Sequence, residues 1–224
     1  MKTFLLLAAI ATFQFATAQK TYELDSFNKI AISGDADMEL QLVKSSENKL
    51  VISGADNEDL SDDFRVSSAG GYLAISNDYD DLEMIVYYTD DINEMTVSGD
   101  VEITCEDTIK SRNFMLSANS DVVVQLKVDT NNFTLVAASD AEITLSGSAR
   151  NFNAAVASDA ELNGNELKTK NNCSIAIASD GEASIYCKGN VDATVASDGE
   201  LTIYGNPRNV NESKSSDAEI TIMR

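Results

Sequence analysis

"AASDAEITLSGSARNFNAAVASDAELNG", residues 137–164, writes Ala-Ser-Asp-Ala-Glu twice, 19 residues apart. The phrase returns as Ala-Ser-Asp-Gly-Glu at 178–182 and 196–200, and as Ser-Ser-Asp-Ala-Glu at 215–219. Extended upstream, the series of aspartates is Asp100, Asp121, Asp140, Asp159, Asp180, Asp198 and Asp217, separated by 18–21 residues. A period in this range is the signature of a solenoid, in which each repeat is one unit too small to bury its own apolar face.

Both flanks of each aspartate alternate. After it come Ala141, Ile143 and Leu145, or Gly199, Leu201 and Ile203, or Ala218, Ile220 and Ile222, with Glu and Thr between them. Before it stand Phe133, Leu135 and Ala137; Phe152, Ala154 and Val156; Cys173, Ile175 and Ile177; Val191, Ala193 and Val195. This period of two describes half-buried strands, and Thr, Val and Ile favour them. Each repeat therefore reads as strand, tight Ser-Asp turn, strand and wider turn, the last exemplified by "SGSARN" and "YGNPRN". Stacking equivalent strands about 4.8 Å apart would close a continuous core. The expected fold is all-β, a flattened parallel β-helix of about 19–21 residues per coil. An antiparallel sandwich of hairpins is the competing architecture, but only like-on-like stacking explains why equivalent positions carry equivalent residues.

Residues 94–224 hold the repeats. Residues 19–93 contain the strand-like runs "KIAISGDADMELQLV", "KLVISG", "YLAIS" and "EMIVYY" and are expected to form a less regular β cap continuous with the solenoid. Asp35 opens a similar phrase there, with no match until Asp100. In the last repeat Glu212 and Lys214 fall where earlier repeats bury apolar residues. Either a terminal coil carries inward charges that oppose edge-to-edge association, or the register shifts within "NVNESKSS".

Residues 1–18 have Lys2, an apolar run and an Ala16-Thr17-Ala18 exit, the pattern of a secretory signal peptide, with a mature start at Gln19. The product is expected to be exported: periplasmic, on the outer surface or secreted. No later apolar stretch has spanning length. A net charge of −21 argues against nucleic acid and anionic membrane surfaces as partners. The chain has no histidine and no tryptophan, which removes the commonest general base and metal ligand and the commonest sugar-stacking ring, though seven tyrosines remain.

Stacked coils would line the aspartates along one edge, Asp140, Asp159, Asp180 and Asp198 among them, with Glu102, Glu142, Glu161, Glu182, Glu200 and Glu219 two residues on. Neighbouring unit charges at that spacing repel by about 0.9 kcal/mol in bulk water before screening. Such a wall could take up calcium; equally, Ser-Asp is good turn chemistry and the carboxylates simply stay solvated. The bases Lys110, Arg112, Arg150, Lys168, Lys170, Lys188 and Arg208 fall in the opposite turns. Cys105 aligns with inward Leu145 and Ile222 and should act as a small hydrophobe. Cys173 and Cys187 lie seven residues before and after Asp180 and face each other. They form a disulfide if the sheets converge, and not if the sheets keep their usual separation of about 10 Å. Acid pairs suited to glycoside hydrolysis are not singled out by any spacing, and neither Arg150 nor Arg208 is marked as a lyase base, so no catalytic residue is assigned.

The entry "FNKIAISGDADMELQL", the middle "MIVYYTDDINEMTVSGDVEI" and the serial small-Ser-Gly/Asp turns resemble the head GIN domain family, the auto-transporter adhesins of Gram-negative bacteria. The resemblance covers nearly all of the mature chain. It implies a right-handed β-helix related in shape to pectate-lyase-like solenoids, no catalytic residues, no cofactor, a role in cell adhesion and trimeric assembly. Only Ser33-Gly34-Asp35 and Ser98-Gly99-Asp100 keep the family's glycine, so left-handed turn positions should fall on Asp or on Gly181 and Gly199. No membrane translocator is read before Arg224, so the family's name is not expected to describe this chain's export. Together these features point to a secreted, non-enzymatic interaction module with a glycan or protein ligand, with a carbohydrate-active enzyme or a periplasmic calcium-binding structural protein as alternatives.

Overall fold

The computed structural model describes residues 19–53, 64–79, 82–215 and 217–223. The expected signal peptide lies outside them. Fifteen strands run in chain order: β1 (Lys20–Glu23), β2 (Phe27–Lys44), β3 (Lys49–Ser53), β4 (Phe64–Ala69), β5 (Gly71–Asn77), β6 (Leu82–Tyr88), β7 (Glu94–Asn119) and β8 (Val123–Ala138). There follow β9 (Glu142–Ala157), β10 (Glu161–Ala178), β11 (Glu182–Cys187), β12 (Asn190–Val195), β13 (Glu200–Tyr204), β14 (Asn209–Lys214) and β15 (Glu219–Ile222). No helix occurs among the described residues.

From β7 onward every pairing is parallel. The result is a β-solenoid of about six turns, and the hairpin sandwich is excluded. Each long strand bends at the corner opposite the Ser-Asp turn, so one strand serves both sheets of its coil. Val123–Gln125 of β8 pairs with Glu142–Thr144 of β9 on one sheet, and Asn132–Val136 with Asn151–Ala155 on the other. The period-two pattern fills the interior with columns of like residues. Phe114, Phe133 and Phe152 stack with ring centroids 5.2 and 5.3 Å apart, and Cys173 and Val191 continue their column. Tilted aromatic stacking at this spacing adds to simple burial.

A second column, outside, was not anticipated. Asn132 donates to Asn113 (2.8 Å), Asn151 to Asn132 (2.9 Å), Asn172 to Asn151 (3.1 Å), Asn190 to Asn172 (3.1 Å) and Asn209 to Asn190 (2.8 Å), each from Nδ2 to Oδ1. These asparagines stand eight residues before successive recurring aspartates. The side-chain ladder repeats the backbone ladder at the far corner, where the chain turns and the strand pairing is interrupted.

The N-terminal part departs from sequential winding. Residues 29–33 of β2 pair with β5 on one side and β7 on the other, and residues 38–41 pair with β6 and β7. The coil of residues 71–88 therefore lies beyond the coil of residues 27–44, although it follows it in the chain. β3 pairs antiparallel with β6, β1 with β3, and β4 with β5, closing this end of the stack. This explains the gap between the Asp35 phrase and Asp100: the intervening chain builds the coil on the other side. At the junction Gly99 has φ 103°, and a Cβ there would lie 1.6 Å from the Gly34 carbonyl oxygen. Only glycine satisfies both conditions. Lys29 ties the three coils together, with its Nζ 2.8 Å from Glu94 and 3.0 Å from the Tyr72 hydroxyl.

At the other end the register does not shift. Ala193 pairs with Glu212 and Val195 with Lys214, so the terminal coil does place charges in the apolar columns, where both are exposed.

Two substitutions test the stacking. Phe133→Ala, in the middle of the ring column, should cost about 3–5 kcal/mol in urea unfolding. Asn151→Ala removes two ladder bonds and Asn113→Ala one, so at about 1 kcal/mol per bond the former should destabilise roughly twice as much; equal losses would show that the ladder is not cooperative with the coils.

Candidate functional site: an acidic face and its polar groove

The Ser-Asp turns build the acidic edge. Ser139 and Asp140, Ser158 and Asp159, and Ser179 and Asp180 all have φ between 53° and 65°. Two left-handed residues in succession define a type I′ turn, and the Ala160 N–H closes one on the Ala157 carbonyl at 3.4 Å. Of the two expected places for left-handed backbone, the aspartates take it and Gly181 and Gly199 do not; neither glycine has a positive φ. They are buried in the column of Ala141, Ala160 and Ala218, where a Cβ on Gly199 would meet Ile177 Cγ2 at 2.8 Å. The left-handed strain on Ser and Asp is offset by bonds between turns: Asp140 N–H donates to Ser158 O (3.2 Å) and Asp159 N–H to Ser179 O (3.3 Å).

Pairing on both flanks fixes the aspartates in a column. Ala138, Ala157 and Ala178 are in register before the turn, and Glu142, Glu161 and Glu182 after it. Asp140, Asp159, Asp180 and Asp198 are all exposed. The glutamate column is longer than the sequence analysis found, running Glu83, Glu39, Glu102, Val123, Glu142, Glu161, Glu182, Glu200 and Glu219 across nine coupled strands. Its extension through Glu39 and Glu83 was hidden by the inverted order of the first coils. Val123, 38% exposed, is its single interruption. Among the described residues no three carboxylates converge as a metal-binding group; a linear column points its oxygens outward instead of around one point.

Both acidic columns contribute to one cleft at the cap junction. A cleft of about 310 Å³ is lined by Asp37, Asp100, Asp121, Glu39, Glu83 and Glu102. A bulge between Gly34 and Met38 accompanies the placement of Asp37 beside Asp100. Burial, a hydrogen bond with Asp37, and the charges of Asp37 and Asp121 raise the pKa of Asp100.

Beside the glutamates runs a neutral column of Thr104, Gln125, Thr144, Asn163, Ser184, Thr202 and Thr221. Its first four members, Thr104, Gln125, Thr144 and Asn163, line a shallow groove of about 570 Å³ with Lys127 and Glu166. Tyr186 and Tyr204 are paired neighbours further along the same face, and Lys168 lies 4.2 Å from the Tyr186 ring centroid, within cation–π range. Lys110, Arg112, Arg150, Lys168, Lys170, Lys188 and Arg208 are all exposed in far-corner segments, and that edge is mixed in charge, with Lys168 3.8 Å from Glu166. Cys105 is buried, its thiol 3.3 Å from the Asp107 carbonyl. Cys173 and Cys187 are buried thiols that meet at the far corner.

Asp100 gives the face a pH signature. Its folded-state pKa lies above the ordinary 3.8, so the native chain binds this proton more tightly than the unfolded chain. Stability from this group is greatest below the ordinary value and is lost as pH rises through the raised one. Asp100→Asn should raise the melting temperature at pH 7 and flatten its decline as pH rises above the ordinary carboxylate range; parallel curves for wild type and variant would contradict the raised pKa of Asp100.

Solved bacterial structures share this fold. A putative adhesin from Bacteroides fragilis superposes with a TM-score of 0.79 at 18% identity, covering 94% of this chain and 98% of that one. A putative adhesin from Parabacteroides merdae gives 0.66 at 19% identity, and a putative lipid binding protein from Parabacteroides distasonis gives 0.67 at 18%, each covering 92% of this chain and 96% of its own. At these identities the likeness is one of fold. No curated protein matches. A family model described as "Putative auto-transporter adhesin, head GIN domain" matches residues 26–207, and the chain belongs to that family.

Proposed function

We propose that this protein is an exported, non-enzymatic interaction module of adhesin type that meets its partner across the face built by the strands following the Ser-Asp turns. The observation that carries this reading is the periodic array on that face. Identical or similar polar side chains recur with every coil, about 4.8 Å apart, on a backbone held rigid by hydrogen bonds on both sides. Such a surface suits an extended, repetitive ligand, a surface glycan or a protein segment, held by many modest contacts at once. A rigid array loses little entropy on binding. Membership of the family and the leader-like residues 1–18 support export. Association of copies, trimers by the family resemblance, would multiply the contacts.

Charge narrows the partner. With a net charge of −21 and two acid columns beside the groove, a neutral or cationic ligand is favoured and anionic polymers are repelled. Calcium is the second reading, and the acid columns are what favour it: a thermal midpoint raised by millimolar calcium would support it, and an unchanged one would remove it.

The test uses the full-length protein applied to intact bacterial and host cells and to a panel of neutral, basic and acidic glycans. Saturable binding to a neutral or basic ligand is expected. Thr144→Arg with Asn163→Arg, both at outward groove positions, should weaken it about tenfold, equivalent to about 1.4 kcal/mol, with the melting temperature unchanged. Absence of saturable binding, or release of new reducing ends from any glycan, would overturn the proposal.

A further inference from the structure

The far corner of the fourth and fifth repeats brings two buried thiols together for a reason the sequence period contains. The repeat from Asp159 to Asp180 spans 21 residues and the next, to Asp198, only 18. The longer coil carries register irregularities between Asn163 and Glu166 and between Thr169 and Asn172. The shorter coil turns the same corner with Lys188 and Gly189 alone between β11 and β12. It is therefore pulled tight against its neighbour: a Cβ on Gly189 would lie 1.6 Å from the Asn171 carbonyl oxygen. Cys187 pairs with Thr169, and Cys173, four residues further along that coil, pairs with Val191. Both side chains point inward, 1% and 0% exposed for Cys173 and Cys187. Their side chains interact directly with each other. The separation of facing sheets, about 10 Å, does not apply here, because the two cysteines meet at a corner between successive coils and not across the layer.

We propose that Cys173 and Cys187 form a disulfide that staples the fourth coil to the fifth, while Cys105 remains a thiol. Cys105 belongs to the first repeat, against Tyr88 and Asp107, several coils from the pair. The cross-link arises as the chain folds, since both sulfurs are inaccessible once the corner has closed. One thiolate attacks a disulfide of the oxidant, glutathione disulfide in vitro or an oxidising thiol–disulfide carrier in an exported compartment, and releases one thiol. The second cysteine then displaces the other thiol from the mixed disulfide. Two protons and two electrons leave the protein, and two thiols of the oxidant are formed.

Glu182 lies between the two cysteines, which makes the bond directly readable. The full chain, denatured and reduced, is refolded in a mixture of reduced and oxidised glutathione, denatured again with an alkylating agent and cleaved with a Glu-specific protease. The expected result is one alkylated site, at Cys105, with the Cys173 and Cys187 peptides joined until reduced. Alkylation of all three cysteines, or a link involving Cys105, would overturn the proposal. Stapling is read separately. Reduction should lower the thermal midpoint of the wild type by roughly 5–10 °C and leave a Cys173→Ser, Cys187→Ser double variant unchanged. A wild type insensitive to reduction would show that the bond, though formed, staples nothing.

Discussion

Parallel stacking with strict register is the constraint on which everything else depends. Once Ala138, Ala157 and Ala178 are hydrogen-bonded neighbours, every side chain between them is assigned to a column, and each column has one environment. Inward columns are apolar and gain about 1.5–3 kcal/mol per fully buried Val, Leu, Ile or Phe. Outward columns inherit whatever the repeat places there, and chemistry is copied along the axis as a by-product. The Ser-Asp turns show the direction of control: they accept left-handed backbone at residues without a strong preference for it, because bonds to the turns above and below hold them there.

The acidic face follows from the same logic. Repulsion between adjacent exposed carboxylates in water is smaller than the stabilisation from the apolar residues that alternate with them. The fold therefore tolerates columns of like charge that a less regular protein would scatter. At the cleft between the cap and the first repeat the tolerance narrows, and desolvation together with Asp37 and Asp121 raises the pKa of Asp100.

Much of this was legible in the sequence. The aspartate period and the alternation around it identify the coil, the two sheets, the inward residues and the acidic columns. The asparagine ladder was equally available, since an Asn stands eight residues before each aspartate from Asp121 onward, but a reading centred on strands passes over a corner. Other features were hidden for physical reasons. Glu39 and Glu83 join the glutamate column only through strand pairings that reverse the chain order, and no local pattern encodes that reversal. The assignment of left-handed turns to Gly181 and Gly199 failed because a glycine can be required by crowding at its side-chain position as well as by its backbone angle. The contact between Cys173 and Cys187 depends on a difference of three residues between two neighbouring repeats, which matters only when the coils are laid on one another.

The inverted order of the first coils bears on how the molecule is assembled. The strand of residues 27–44 is made early, yet it ends as an interior layer whose two neighbours, residues 71–88 and 94–105, arrive later and on opposite sides. A chain emerging amino end first cannot complete this layer by adding coils in order of synthesis. Its first strand must remain available until both flanking segments have appeared, and the chain must then pass across its edge from one side to the other. Nucleation in the sequentially wound repeats, with the cap closing last, is the route that leaves the fewest unpaired edges waiting.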